Sequence, residues 1–137
     1  MPVEPQLESA RFAWATAARH RLRAVTTAVG QLRRSFDTGS TGEAEATLLT
    51  DEVVGACLAL TEWLAGDRAP RGLGKAEGEL AAAAGVYKNA AFTFRSLGDA
   101  EPDQREARTA ACATMLDQGD EHVEAFAATL LHKLGMP

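Results

Sequence analysis

Few side chains in this sequence could carry metal or nucleophile chemistry: His20, His122 and His132, with Cys57 and Cys112. In a helical chain the enzyme chemistry to look for first is a carboxylate-bridged metal pair, which needs Glu-x-x-His on two helices. Ala17, Gly119 and Thr129 stand three residues before the histidines, so that pairing fails each time. A smaller site could gather His122 with Glu121, Asp120 or Asp117, and with Glu62 or Glu52 from another helix. His122 is therefore the one weak candidate ligand, against a plainer role as an edge-of-core imidazole bonded to a nearby carboxylate. His20 lies among arginines, which repel a cation, and His132 is expected to be exposed. Cys57 and Cys112 form no Cys-x-x-Cys pair, and neither has a histidine three or four residues away. Each falls in an apolar stripe, so both are expected to be buried free thiols. No glycine-rich segment follows a strand, which leaves out phosphate loops. No catalytic residue, metal or cofactor is assigned, and an enzyme is not expected.

Aromatic side chains offer a second kind of chemistry. Tyr87 lies on an apolar stripe, and a buried phenol needs a hydrogen-bond partner. Trp14, Trp63, Tyr87, Phe94 and Phe126 are the candidates for lining a ligand pocket inside a bundle. The plainer reading is that they fill a core around small alanines. Gly85, Val86 and Phe92 lie off the main stripe and suggest a second apolar surface, which usually means a partner.

The elements that must position these residues are helices. Leu73, Leu80, Tyr87 and Phe94 recur every seven residues, beside a second series of Ala76, Ala83, Ala90 and Leu97. Two such series make one stripe in which large residues alternate with alanine, so a neighbouring backbone can come close. This segment is expected to be the central helix. Similar spacing predicts helices over about 5–36, 41–65, 73–97 and 102–134. Pro5 and Pro102 suit first helical positions, and Asp37-Thr38-Gly39 suits a helix end. Ser40 and Glu43 have capping-box spacing, and Gly66 is expected to end the second helix in the left-handed conformation. Asp67–Gly72 is the longest irregular stretch and is expected to move most; Gly135-Met136-Pro137 is expected to fray. Short connections between long helices imply an all-α, antiparallel, up-down-up-down four-helix bundle, with residues 1–137 as a single domain.

The net charge of -5 is unevenly spread. Through Phe36 six arginines face two acids, whereas the remainder holds eight basic and seventeen acidic residues. The simplest consequence is internal, with a basic first helix lying beside acidic ones. A nucleic-acid partner is disfavoured, because the overall charge is negative and no reading motif accompanies the arginines. No run is long enough to span a membrane, and the N-terminal stretch lacks the apolar core of a signal peptide, so a cytoplasmic protein is expected.

The alanine-rich Leu80–Ala91 is similar in composition to the short helical hairpins exported by mycobacterial-type specialised secretion. Those carry Trp-x-Gly and Tyr-x-x-x-Asp/Glu signatures. Here Leu64, Ala65 and Gly66 follow Trp63, and Ala91 stands four residues after Tyr87. The likeness ends at composition. The expected function is non-enzymatic: a bundle acting through protein–protein contact or self-association, as a homo-oligomer or part of a complex. The alternative is a small-ligand or metal sensor with a pocket near Tyr87 or His122.

Overall fold

The computed structural model describes residues 4–39 and 42–137. Among these, four helices pack as a bundle: α1 (Glu4–Thr38), α2 (Glu43–Gly66), α3 (Gly74–Ser96) and α4 (Pro102–Leu134). A single 3₁₀ turn, Leu97–Asp99, leads from α3 toward α4. Successive helices run antiparallel. Trp14 near the start of α1 stacks on Trp63 near the end of α2, and Thr50 early in α2 donates to the carbonyl of Ala91 late in α3. Ala90 of α3 accepts a bond from Cys112 of α4, and Arg19 of α1 reaches the carbonyl of Pro137 beyond α4.

The α3 helix is the most enclosed element, and alanine is the reason. Ala76, Leu80, Ala83, Ala84, Tyr87, Ala90, Ala91 and Phe94 are all buried. The adjacent pairs Ala83–Ala84 and Ala90–Ala91 widen the apolar stripe so that it meets α2 on one flank and α4 on the other. Small side chains leave the α3 backbone within reach: the Thr50 hydroxyl donates to Ala91 at 3.2 Å, and the Cys112 thiol to Ala90 at 3.6 Å. A buried hydroxyl or thiol is thereby satisfied without a second polar side chain. Leu97 is only half-buried, because the chain tightens into the 3₁₀ turn there.

On α2 the buried line runs through Leu49, Val53, Cys57, Leu60 and Leu64. Ala56 and Trp63 sit half-buried at its α1 edge. The α4 core is Cys112, Leu116, Gly119, Phe126, Thr129 and Leu130. Val123 and Leu134 are half-buried beside it. These side chains join those of α1 in one continuous cluster.

One helix end departs from expectation, and two others are held by specific contacts. Gly66 ends α2 without a positive φ; the left-handed glycines are Gly39, Gly72 and Gly135. The helix is closed instead by Asp67, whose N–H donates to the Trp63 carbonyl at 2.7 Å. The stretch after it is tied at several points. Trp14 Nε1 donates to the carbonyl of Asp67 at 2.8 Å, Arg11 Nε to that of Arg71 at 2.7 Å, and the Glu77 carboxylate receives both Arg68 and the Ala69 N–H. Gly72 takes φ +97°, and a Cβ there would strike the Arg11 guanidinium. Gly135 closes α4 as a left-handed cap, its N–H bonded to the carbonyl of Leu131 and that of Met136 to the carbonyl of Leu130. Met136 then folds back onto the core. The capping box read at Ser40 falls on residues 40 and 41, which lie outside the described residues.

Among the described residues no helix is long and apolar enough to cross a membrane.

Candidate functional site

The polar groups that enter the bundle do so mainly where α1, α3 and α4 meet. Tyr87 is 2% exposed. Its hydroxyl donates to Asp120 Oδ1 at 2.6 Å. Arg33 from α1 donates to the other carboxylate oxygen at 2.8 Å and, at 3.5 Å, to the carbonyl of Leu116. Both oxygens of Asp120 are thus engaged, and one carboxylate stitches three helices. The Tyr87 ring lies flat against α4 at Gly119; a Cβ on residue 119 would fall 2.6 Å from Cδ1 and 2.7 Å from Cζ. Burial, then donation to the Asp120 carboxylate, pushes the Tyr87 pKa far above the ordinary phenol value. The hydroxyl therefore stays protonated, and as a donor already in use it serves structure rather than proton transfer.

His122 pairs across the α3–α4 seam with Glu79, Nδ1 to Oε2 at 2.6 Å. Its ring is partly open to solvent. Asp120, offered by the sequence as a co-ligand, is taken by Tyr87 and Arg33 instead. Asp117 and Glu121 turn outward, because α4 places them on the face opposite Leu116 and Gly119. Among the described residues no three His, Cys, Asp or Glu side chains converge to hold a metal ion.

Cys57 and Cys112 are free thiols, 1% and 0% exposed. Burial raises each pKa to about 11, with Lys88 partly opposing it at Cys57. Neither is a thiolate at neutral pH, so neither can act as a nucleophile there. We expect iodoacetamide at pH 8 to leave both unmodified in the native protein and to modify both in denaturant, read by intact mass.

The five aromatic pocket candidates are spread along the bundle. Trp14 and Trp63 stack at one end with centroids 5.7 Å apart. Phe94 lies at the other end, edge-on to Phe36 at 6.4 Å. Tyr87 sits between them against Gly119, and Phe126 lines a surface groove of about 240 Å³ between α1 and α4. The space to which all four helices contribute is a cavity of about 430 Å³ at the Phe94 end. Phe36, Phe94 and Leu97 form its floor, and Glu43, Arg95, Asp99 and Arg105 its rim. Spacing within single helices does not mark this cavity. The available signal was that Gly39 and Gly98 place two turns at one end of the bundle, with charged residues flanking both.

The expected interface residues occupy two flanks of α3. Phe92 is 49% exposed and points away from the core. Gly85, seven residues before it, is on the same outer line. Val86 shares a line with Glu79 and Thr93, both bonded to α4 residues, so it lies at the α3–α4 seam and is half-buried. Exposed Leu48 and Leu58 lie on the outer side of α2.

Compared with family models, curated proteins and solved structures, the chain finds no match.

Proposed function

We propose that this protein is a non-enzymatic helical bundle that works by contact, and that the outer face of the α2–α3 pair is a self-association surface. The observation that carries this reading is the character of that face. Leu48, Leu58 and Phe92 are exposed, and Gly55, Gly78 and Gly85 lie on the same outer lines with nothing within 4 Å of a built Cβ. A glycine inside a helix costs about 1 kcal/mol relative to alanine. Packing within one chain gives no reason for these three, whereas close approach of a second backbone does.

Charge favours a second copy of this chain as the partner. The α2 helix carries five acids, Glu43, Glu45, Asp51, Glu52 and Glu62, and no basic residue. In α3 the acids Glu77 and Glu79 are engaged within the chain, which leaves Lys75, Lys88 and Arg95. A twofold axis lying in the interface parallel to the helices lays acidic α2 of one copy on basic α3 of the other. The face measures roughly 35 Å by 20 Å, on the order of 700 Å² per partner, close to a standard stable interface. Val86 borders the surface at its α4 edge.

Light scattering at micromolar concentration tests the reading. The expected result is a dimer that Phe92→Asp converts to monomer, with helicity unchanged by circular dichroism. A wild-type protein that remains monomeric at every concentration sinks the proposal.

A further inference from the structure

We propose that the cavity enclosed by the four helix ends binds a small dipolar ion with an apolar body, of the class of a free amino acid with an aromatic or large aliphatic side chain. The cavity opens at one end of the bundle; Glu43 and Arg95 of its rim also belong to the charged set of the α2–α3 pair, but binding there needs no second copy.

Three observations converge on this ligand chemistry. The first is size: about 430 Å³ falls within the roughly 300–1,000 Å³ of small-molecule sites. The second is the floor. Phe94 is 4% exposed and Phe36 is half-buried; with Leu97 they present aromatic and aliphatic carbon to the cavity. Ala46, Thr47 and Thr109 opposite are too small to fill it.

The third is the charge balance of the rim. Arg95 and Arg105 come from α3 and α4, Glu43 and Asp99 from α2 and the 3₁₀ turn. None of the four forms an ion pair with another described residue. The helix ends are balanced as well. At this end α1 and α3 present carbonyl ends, whereas α2 and α4 present N–H ends, so their dipoles oppose one another. An anion would gain from the guanidinium groups but meet Glu43 and Asp99; a cation would meet the reverse. A ligand carrying both charges close together satisfies both pairs and leaves its side chain for the aromatic floor.

The test is a titration of the ¹⁵N-labelled full chain with three probes: L-phenylalanine, 3-phenylpropionate and 2-phenylethylamine. L-Phenylalanine is expected to give saturable amide shifts clustered at Thr47, Leu97 and Thr109. Each single-charge probe is expected to bind about tenfold more weakly, the loss of one charge-assisted contact. Arg105→Gln is expected to weaken L-phenylalanine and 3-phenylpropionate by about tenfold and to leave 2-phenylethylamine bound as tightly or more tightly, since the amine loses only a repulsive neighbour. Its own spectrum reports that the variant is folded. No saturable shift up to tens of millimolar, shifts centred elsewhere, or a single-charge probe binding as tightly as the amino acid would overturn the proposal.

Discussion

Gly119→Ala is expected to destabilise the bundle by about 2 kcal/mol, against the direction that helix propensity alone dictates. Alanine in the middle of α4 should be worth about 1 kcal/mol over glycine. The added methyl, however, lands against Cδ1 and Cζ of Tyr87. That ring cannot easily yield. It is 2% exposed and anchored through its hydroxyl to Asp120, the residue next to Gly119. Either α4 must move away from α3, which disturbs the Cys112–Ala90 contact one face along, or the ring must leave its rotamer. Overpacking of this kind costs roughly 1–3 kcal/mol before the propensity gain is subtracted, and a ring held at both ends belongs at or beyond the upper end. Urea denaturation measures the change. A double-mutant cycle identifies its cause: in a Tyr87→Leu background the same Gly119→Ala should be neutral or stabilising by up to about 1 kcal/mol. If Gly119→Ala is as harmful without the ring as with it, the Tyr87 contact is not the reason for the glycine.

Much of this arrangement is legible in the sequence, and the reason is periodicity. The seven-residue series through Leu73, Leu80, Tyr87 and Phe94 selects a buried face whatever the partners are, because side chains seven apart stand on nearly one line of the helix surface. The spacing likewise puts Gly119 and Tyr87 on buried faces and marks Tyr87 as a phenol in need of a partner. What spacing does not encode is which residue on another helix answers. Asp120 serves Tyr87 and Arg33, and Glu79 serves His122, because of the rotation and height of α4 relative to α3. Those follow from how alanine and glycine let the backbones settle. The same limit explains Gly66. A glycine after an apolar run suggests a left-handed cap, but Trp14 and Glu77 fix the following chain from outside the segment, and the carbonyls are met another way. The separation of charge is real, yet of the α1 arginines only Arg33 forms an ion pair among the described residues. The basic face of α1 is mainly turned to solvent. The end cavity was the least legible feature, since four chain segments far apart in sequence must end at one level to enclose it.

Tyr87→Ala is expected to be the most damaging single change in this region, at about 4 kcal/mol, and Tyr87→Phe to cost about 1 kcal/mol. The difference separates the ring from its hydroxyl. Alanine loses the buried aromatic surface and leaves a void between α3 and α4, because Gly119 has no side chain to fill it. Phenylalanine keeps the ring and removes only the bond to Asp120, whose carboxylate is partly exposed and still holds Arg33. The pH dependence gives an independent handle on the hydroxyl. Its folded pKa lies above the unfolded value, so the neutral phenol is the form that folding favours. That contribution is complete below the unfolded phenol pKa of about 10 and declines as pH rises above it. Cys57 and Cys112, raised to about 11, lose their share as pH rises from the ordinary thiol value of 9.0 toward 11. Wild type and Tyr87→Phe should therefore weaken in parallel between pH 8 and 10 as the thiols begin to ionise. Above that the wild type should fall more steeply, since only it must keep a phenol protonated. Urea midpoints measured at half-unit intervals up to pH 11 would show the curves converging. Curves that stay parallel throughout would mean that the Tyr87 hydroxyl ionises as freely in the bundle as in the unfolded chain.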